Sequence, residues 1–420
     1  MKNIGIIGLG DMGKLFAKGL ANKGFCVRGI DLPENTNRLR KELSDSDIIV
    51  TQDSAEVVKN SELLLFAVET KNLVSTVNSV AQIIPPNTIV GGLTSVKTPE
   101  IAIFEKYLKP QTPIITFHPM HGPAVDSQNQ PAVLINHRGT DVQELYVKKV
   151  LKALEYSILP VSSAVEHDIL TANVQAVTHL GFQSMGTAWM RAGFFPWMHN
   201  SYSNQIDAVK YLMMLRIFSG KPHVYSGIAF ENPQAQTQII QYQKSCEKFI
   251  SLIEDRRESE MHKYLYDIRD SLFTKQTKPL LIFNEELEAR INLHNAPHDA
   301  LPNSHLSLLA MADTWHSMGI NPYEHMICQT PPFRMRLGLV ERLFADNELL
   351  KLATKSSQLY PALLKHDRLF CDSVNSWANC IFNKDEKQYN HIFAQTQLFF
   401  TSHLDEGKER SSNLLKYVTD

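Results

Sequence analysis

The first 31 residues contain the pattern that most constrains the fold. The apolar run Ile4-Gly-Ile-Ile7 leads directly into the glycine sequence Gly8-Leu-Gly-Asp-Met-Gly13. A helical stretch follows, and a second apolar run ends on Asp31, 18 residues after Gly13. This order of strand, glycine turn, helix, strand and acid is typical of a dinucleotide-binding unit.

The three glycines have different roles in such a turn. We expect Gly8 to form the tight turn, Gly10 to let a pyrophosphate approach the backbone, and Gly13 to let the helix pack closely on the strand. Backbone amides at the helix N-terminus would bind the phosphate charge. The alternative is a glycine-rich turn that serves packing alone. The predicted cofactor-binding residues are Gly8, Leu9, Gly10, Asp11, Met12, Gly13, Asp31, Val68 and Thr94.

Composition excludes several other classes of protein. The net charge of −2 over 420 residues gives no reason to expect nucleic acid or an anionic membrane surface as partner. No apolar run approaches the ~20 residues of a membrane helix. The five cysteines are scattered and contain no CxxC pair, so neither a disulfide framework nor a metal site is predicted. Together with an N-terminus that resembles no signal peptide, this predicts a cytoplasmic protein.

The alternation of strands and helices continues to about residue 161. Apolar runs predict strands at 2–8, 25–31, 47–50, 63–68, 88–93, 113–117 and 132–136, with 156–161 as a last strand or a link. Helical stretches lie between them, so residues 1–161 are predicted to form a Rossmann-like, doubly wound parallel sheet of the α/β class. After residue 162 the spacing of apolar residues becomes helical, which predicts an all-helical second domain. Residues 275–279 and 295–302 are predicted to be connections.

The helical region contains an internal repeat. The interval from His179 to Trp189 is ten residues, and the same interval separates His305 from Trp315. A glycine follows each tryptophan by four residues and a proline by seven. We predict a first helical copy at 162–290, and a second, degenerate copy with C-terminal helices at 291–420. Such copies could form an intramolecular pseudo-dimer, with a homodimer as the other possibility; two unrelated amphipathic helices are the alternative.

One histidine lies where a sheet of this kind binds its ligand. His118 ends the apolar run 113–117, and Pro119 should stop the strand there. Because the carboxyl ends of parallel strands form the ligand crevice, this imidazole is a candidate proton acceptor. Ser95 ends the preceding strand and could orient the imidazole. The alternatives are a histidine that only caps its own loop and a serine that caps a helix.

Three polar residues fall on apolar helices of the second region. Gln175 and His179 are four residues apart, so on an α-helix they would share one face. Arg216 lies in the apolar run 212–218 and needs an anion as partner, either a carboxylate of the protein or a carboxylate of a ligand. All three are candidate substrate-binding residues. Their structural alternatives are a core histidine and a guanidinium paired within the protein.

Taken together, these motifs resemble the prephenate dehydrogenase family, and especially its long fungal-type members. The resemblance rests on an ordered set of segments spanning residues 3 to about 345: Gly8–Gly13, Thr94-Ser-Val-Lys97, His118-Pro-Met-His-Gly122, Glu166-His-Asp168, His179 and Leu215-Arg-Ile217. It departs from shorter bacterial members at Gln175-Ala176, where they carry Ser-His. No pattern of the small regulatory domain found in some members occurs at the C-terminus.

The resemblance implies oxidative decarboxylation of prephenate to 4-hydroxyphenylpyruvate in tyrosine biosynthesis. It implies that His118 accepts the hydroxyl proton, that Ser95 orients it, and that Arg216, His179 and Gln175 bind the substrate. It also implies NADP as cofactor, whereas Asp31 favours the ribose hydroxyl of NAD. Arg38 or Arg40 could offset Asp31, so both cofactors stay open.

Two rival functions remain open at this point, and the sequence argues against a third. Arogenate oxidation differs only in an amino group on the substrate side chain. A non-catalytic NAD(P)-binding sensor would bind cofactor without turnover. A β-hydroxyacid dehydrogenase would need a lysine on the helix at 171–189, and there is none.

Overall fold

The computed structural model describes residues 3–123, 125, 127–198, 205–273, 303–324, 330–359 and 361–419. The described chain divides into two compact units, one ending at Thr171 and the other beginning at Ala172. The predicted connections at 275–279 and 295–302 lie outside the described residues.

The first unit is built on one eight-stranded sheet. The strand order is β3-β2-β1-β4-β5-β6-β7-β8, so the chain reverses direction across the sheet between β1 and β4. Neighbouring strands are parallel except β6 and β7. The strands are β1 Asn3–Ile7, β2 Cys26–Ile30, β3 Ile48–Val50, β4 Leu63–Phe66, β5 Ile89–Gly92, β6 Ile114–Pro119, β7 Pro131–Arg138 and β8 Ser157–Val161.

The antiparallel β6–β7 pair corrects the predicted all-parallel sheet. Only eleven residues separate Pro119 from Pro131. A parallel return needs a crossover of a dozen or more residues, usually with a helix, so the short connection folds β7 back beside β6. The strand β6 also extends through His118 to Pro119, which pairs with Ala132. His118 therefore lies within the last two residues of the strand.

Helices cover both faces of the sheet, as predicted for a Rossmann-like fold. Successive residues of β4 point to opposite faces: Leu63 and Leu65 join one apolar cluster, and Leu64 and Phe66 join the other. This explains why the central strands read as continuous apolar runs. The helices of this unit are α1 Asp11–Asn22, α2 Thr36–Glu42, α3 Ser54–Lys59, α4 Thr70–Val80, α5 Lys97–Tyr107, α6 Asp141–Ala153 and α7 Ala164–Thr171.

Helix α7 moves the boundary between the units beyond the predicted position at 161. Its residue Leu170 packs with Val133 and Ile135 of β7 and Val161 of β8. The segment is helical, as predicted, but its apolar side is buried on the sheet. A change from strand to helix in the sequence therefore preceded the actual boundary by ten residues.

The second unit is helical in the part of the chain that the structure describes. It begins with a π-helical turn, Ala172–Ala176, between α7 and the next helix. The long helix Pro233–Glu254 packs against the helices Leu306–Met318 and Pro361–Phe382, and each of the three contains a buried aromatic ring, Tyr242, Trp315 and Trp377 respectively. The helices are α8 Val177–Ala192, α9 Gln205–Phe218, α10 Pro222–Glu231, α11 Pro233–Glu254, α12 Glu258–Leu272, α13 Leu306–Met318, α14 Pro331–Ala345, α15 Asn347–Leu359, α16 Pro361–Phe382, α17 Glu386–Phe399 and α18 Leu404–Thr419.

The two helices of the proposed repeat, α8 and α13, have similar C-terminal ends and different N-terminal ends. Both α8 and α13 end at a left-handed glycine, Gly193 and Gly319, four residues after a tryptophan. Left-handed glycine is a common helix terminator, which accounts for that part of the spacing. In contrast, His179 lies inside α8, whereas His305 precedes α13 with a left-handed backbone. The two-copy organisation stays a prediction.

Among the described residues, no helix combines the length and the apolarity that crossing a membrane requires.

Replacing Gly92 with alanine should destabilise the first unit. The new Cβ would lie 2.2 Å from a carboxylate oxygen of Glu100, which is fully buried. We expect a loss of about 1–3 kcal/mol in the free energy of unfolding, measured by urea titration with hydrogen exchange. The control is Gly227→Ala in α10, where a Cβ meets no described atom within 4 Å and stability should hold or rise. Equal stability of the two variants would contradict the prediction.

Candidate functional site

The three glycines of the turn have the different surroundings that the sequence predicts. Gly8 has φ of +96°, and a Cβ there would lie 2.7 Å from the carbonyl oxygen of Ala67 at the end of β4. A Cβ on Gly13 would lie 2.0 Å from the carbonyl oxygen of Gly8. A Cβ on Gly10 meets no described atom within 4 Å. The space beside Gly10, at the N-terminus of α1, is therefore open to a ligand phosphate.

The acid that ends the second strand is bound by the turn itself. Asp31 accepts hydrogen bonds from the amide of Leu9 at 2.6 Å, from the amide of Leu32 at 2.8 Å and from the side-chain amide of Asn35 at 2.7 Å. The side chain of Leu9 is buried in the core. Asp31 thus stabilises the glycine turn and already has donors that offset its charge.

The two arginines after Asp31 have different surroundings. Arg38 is largely exposed, and its guanidinium donates to the side chains of Asn35 at 3.2 Å and Glu42 at 3.3 Å. Arg40 instead donates from Nε to the carbonyl oxygen of Val50 at 3.0 Å, at the edge of the sheet. Arg38 is therefore the arginine that lies beside the residues around Asp31.

A buried ion pair supports the end of β5. Lys97 and Glu100 are both fully buried and 2.9 Å apart. The ammonium of Lys97 also donates to the carbonyl oxygen of Gly92 and lies 3.0 Å from the hydroxyl of Thr116. Burial lowers the pKa of Lys97, and the charge of Glu100 opposes that change. The Glu100 carboxylate fills the space in which a side chain at position 92 would lie, so close packing requires glycine there.

Thr94 takes part in the same buried network. Its hydroxyl donates to the carbonyl oxygen of Val96 at 2.8 Å and contacts the carboxylate of Glu100. Val68, at the end of β4, has a methyl group 2.8 Å from the position of a Cβ on Gly8. Both residues lie at the carboxyl edge of the sheet, and their contact with a cofactor stays a prediction.

His118 is buried at the carboxyl end of β6 and bound by a second histidine. Its Nδ1 lies 2.9 Å from Nε2 of His167, and Nδ1 of His167 lies 2.8 Å from the Asp168 carboxylate. Burial holds the pKa of His118 well below 6.5, and the neighbouring groups His167 and Lys97 lower it further. The imidazole is therefore neutral at pH 7 and able to accept a proton.

Asp168 binds more than the histidine. Its two carboxylate oxygens also accept the backbone amides of Lys97 and Thr98, each at 2.8 Å. These are the first two residues of α5, so Asp168 caps that helix from another part of the chain. Burial would raise the pKa of Asp168, but the donors outweigh it and lower the pKa, which keeps the group ionised.

The link between His118 and His167 is a contact that the sequence does not predict. From the sequence, Ser95 is expected to orient the imidazole or to cap α5. The residue that precedes α5 is Val96, and the cap comes from Asp168. No hydrogen bond between Ser95 and His118 is described, so an orienting role for Ser95 stays a prediction. The signal for this link in the sequence is the adjacent pair His167-Asp168, which falls within the predicted helical copy at 162–290.

In the helical unit, Arg216 and His179 lie around a tyrosine that the sequence analysis missed. The His179 ring packs edge-on against Tyr225 with centroids 4.9 Å apart. Arg216 donates to Ser412 of the last helix at 2.9 Å, and its charge acts on Tyr225, whose pKa burial raises to about 12. Burial lowers the pKa of His179 to about 4, and the charge of Arg336 acts in the same direction.

Gln175 and His179 do not lie on one unbroken α-helix, which is what the predicted shared face assumes. Gln175 lies in the π-helical turn, whereas His179 is the third residue of α8. A π-turn adds a residue to the helix, so a four-residue spacing across it does not by itself align two side chains, and the shared face stays a prediction. Gln175 is nevertheless buried.

Comparison with family models divides the chain into the same two parts. Residues 3–154 match the NAD binding domain of 6-phosphogluconate dehydrogenase. Residues 176–420 match a C-terminal domain of the 6-phosphogluconate dehydrogenase type. The chain is also 36% identical over 431 aligned residues to prephenate dehydrogenase [NADP(+)] of Saccharomyces cerevisiae, covering 100% of this chain and 95% of that relative. The chain belongs to the prephenate dehydrogenase family.

Two further proteins are similar to this chain, one in sequence and one in fold. A probable prephenate dehydrogenase [NADP(+)] of Schizosaccharomyces pombe is 35% identical, with 96% of this chain and 94% of the relative covered. The crystal structure of prephenate dehydrogenase from Aquifex aeolicus, solved with hydroxyphenyl propionate and NAD+, has a TM-score of 0.50 and 21% identity. It covers 64% of this chain and 96% of that one, so the likeness shows a shared fold.

Substitution of Gly10 should weaken dinucleotide binding more than it weakens the fold. An alanine Cβ would occupy the open space beside the first turn of α1 and keep phosphate from the backbone. We expect Gly10→Ala to raise the dissociation constant for the cofactor roughly tenfold or more, which is about 1.4 kcal/mol. The change of cap residue should cost at most about 1 kcal/mol of stability. Isothermal titration measures the first quantity and calorimetry the second. Unchanged affinity would contradict the proposed phosphate position.

Proposed function

We propose that this protein catalyses the NADP-dependent oxidative decarboxylation of prephenate to 4-hydroxyphenylpyruvate. The observation that carries the proposal is a neutral, buried imidazole, His118, at the same carboxyl edge of the sheet as the glycine turn. The strand order puts β4 and β5 between β1 and β6, and strands lie about 4.8 Å apart. A dinucleotide with its pyrophosphate at Gly10 would extend along this edge toward β6.

The substrate determines what the protein has to do. Prephenate has a ring carboxylate, a pyruvyl side chain and a C4 hydroxyl. Bound NADP+ supplies the acceptor for the hydride that leaves C4. Nε2 of His118 accepts the hydroxyl proton as the C4 carbonyl forms. The ring carboxylate then departs as carbon dioxide, and its bonding electrons pass through the ring to the C4 oxygen. That oxygen takes the proton back from His118 as the aromatic phenol forms, which provides much of the driving force. The protein mainly has to orient the substrate and to hold one proton between the two steps.

We propose that Arg216, His179 and Gln175 bind the substrate. Arg216 is partly buried and its described donor contact is to a neutral hydroxyl, that of Ser412, so its charge can still bind a carboxylate. His179 is neutral at pH 7 because burial lowers its pKa to about 4. Ser95 is proposed to donate a hydrogen bond to the substrate or to the imidazole.

NADP is the proposed cofactor, as named for the two yeast relatives. Asp31 would repel a 2′-phosphate, but its carboxylate is already bound by Leu9, Leu32 and Asn35. Arg38 lies beside Asn35 and is exposed enough to turn toward a phosphate. These contacts support the phosphorylated cofactor, with NAD as the alternative.

The site of action proposed for the protein is the cytoplasm. Cysteines 26, 246, 371 and 380 carry free thiols, which fits a reducing compartment. A pseudo-dimer within the helical unit, or a homodimer through it, remains the proposed organisation.

Purified protein and purified prephenate provide the direct test. Reduction of NADP+ should be visible at the absorbance of the reduced nicotinamide, with 4-hydroxyphenylpyruvate as product. Arogenate and NAD+ serve as the competing substrate and cofactor. Turnover of arogenate alone, or binding of cofactor without any turnover, would overturn the proposal.

Replacement of His118 with asparagine should remove the proton acceptor and leave the cofactor site intact. We expect kcat to fall roughly 10²–10⁴-fold with nearly unchanged affinity for NADP+. For the unsubstituted enzyme, kcat/KM should stay level as the pH falls through 6.5, because the pKa of the buried imidazole lies well below that value. A matched control is His137→Asn, which removes an imidazole paired with Glu105 on the surface. Unchanged turnover of the His118 variant would refute the assignment.

The two arginines after Asp31 should differ in their effect on cofactor choice. Arg38→Gln should raise KM for NADP+ roughly tenfold and leave KM for NAD+ nearly unchanged, because a charge-assisted contact with the 2′-phosphate is lost. Arg40→Gln is the control, since that side chain is bound to the carbonyl of Val50. The prediction fails if the two variants change the ratio of the two Michaelis constants equally.

A further inference from the structure

We infer that His167 and Asp168 position His118 as the base, by determining which ring nitrogen of His118 carries its proton. The inference rests on the proposed function and deepens it: it assigns a positioning role to two residues that do not touch the reacting atoms. All three side chains belong to the first unit, and their positions relative to one another come from β6 and α7 of that unit.

The hydrogen bonds can be assigned from the carboxylate outward. An ionised Asp168 only accepts, so the nitrogen 2.8 Å away, Nδ1 of His167, must carry a proton. Burial lowers the pKa of His167 despite the opposing effect of Asp168, so the ring is neutral and its Nε2 has a lone pair. That lone pair accepts from Nδ1 of His118 at 2.9 Å. The remaining nitrogen of His118, Nε2, is left unprotonated.

The assignment matters because a neutral imidazole has two tautomers and only one of them can act here. If Nε2 of His118 carried the proton, the nitrogen on the far side from His167 would be a donor and could not accept from a hydroxyl. The chain of two hydrogen bonds favours the accepting tautomer before any substrate binds. The edge-on packing of the two rings, with centroids 5.1 Å apart, holds the plane of His118 as well.

The same chain can compensate charge during the reaction. When Nε2 of His118 accepts the hydroxyl proton, the ring becomes an imidazolium. The carboxylate of Asp168 is then the nearest negative group along the chain, connected through His167, and it stabilises the positive charge at one remove. The Nδ1 proton can shift to Nε2 of His167, which keeps the number of protons constant and brings the charge next to Asp168.

Burial excludes a different reading, in which the chain conducts the proton to solvent. His167 and Asp168 each have 0% of their surface exposed. Two of the groups that bind the carboxylate are backbone amides, which cannot take a proton onward. The proton therefore leaves His118 from the nitrogen by which it arrived, and it returns to the C4 oxygen as carbon dioxide departs and the phenol forms.

Two substitutions of His167 separate positioning from structure. His167→Leu removes the acceptor for Nδ1 of His118, and we expect kcat to fall roughly 10–100-fold with little change in KM for NADP+. His167→Gln retains an amide oxygen that can accept the same hydrogen bond and should recover part of that loss. Calorimetry of both variants checks that each still folds. The control is His121→Gln, which removes an imidazole whose charge also acts on His118 but which bonds to Gly122 and Tyr156.

Nitrogen-15 NMR of the histidine rings provides a readout that needs no substrate. In the unsubstituted protein, the His118 signals, identified by their loss in His118→Asn, should show a protonated Nδ1 and an unprotonated Nε2. In His167→Leu the two tautomers should mix. A mixed tautomer in the unsubstituted protein, or full turnover by His167→Leu, would overturn the inference. Failure of the protein to oxidise prephenate would refute the proposed function, while the tautomer result would still decide the positioning role.

Discussion

The arrangement of the polar side chains around His118 depends on the hydrogen bonds that the Asp168 carboxylate accepts. This carboxylate accepts two amides from the first turn of α5 and the Nδ1 proton of His167. One buried charge on α7 thus fixes the start of α5 and the ring next to His118. A carboxylate without those donors would be costly to bury; with them its pKa is lowered and it stays ionised. The positive end of the α5 dipole adds to the same effect.

A second buried group of charges, the ion pair of Lys97 and Glu100, is joined to Asp168 through the backbone of Lys97. Lys97 begins α5 with its amide bound to Asp168, while its side chain turns inward to Glu100 and to the carbonyl oxygen of Gly92. The two networks therefore meet at one residue, and they connect the carboxyl end of β5 with Thr116 of β6. Because both pairs are buried, removal of one partner would leave an uncompensated charge, which is costly. This gives the end of the sheet the rigidity that an oriented base requires.

Much of the first unit could be predicted because its signals are local. The order of strand, glycine turn, helix, strand and acid occupies 31 consecutive residues, and Gly8 and Gly13 each have a steric reason within that segment or at the end of β4. His118 could be placed because Pro119 lies next to the end of an apolar run. The direction of β7 could have been read from the length of its connection to β6, but alternation alone suggested a parallel strand. The adjacent pair His167-Asp168 was visible, yet its partners are 49 and 71 residues away, and spacing contains no information about such contacts.

The helical region was harder to read, because helical periodicity assumes an unbroken α-helix. The π-turn at Ala172–Ala176 changes which residues share a face, so the relation between Gln175 and His179 could not be inferred from their spacing. By itself the sequence determined the class of fold, the nucleotide turn, the position of His118 near the end of its strand and the family, since these depend on residue types in consecutive segments. Only the tertiary structure decided that a second imidazole and a distant carboxylate hold His118, and that Tyr225 packs against His179 and interacts with the charge of Arg216 in the helical unit. Those contacts join residues far apart in the chain, and they form only when packing brings their helices and strands together.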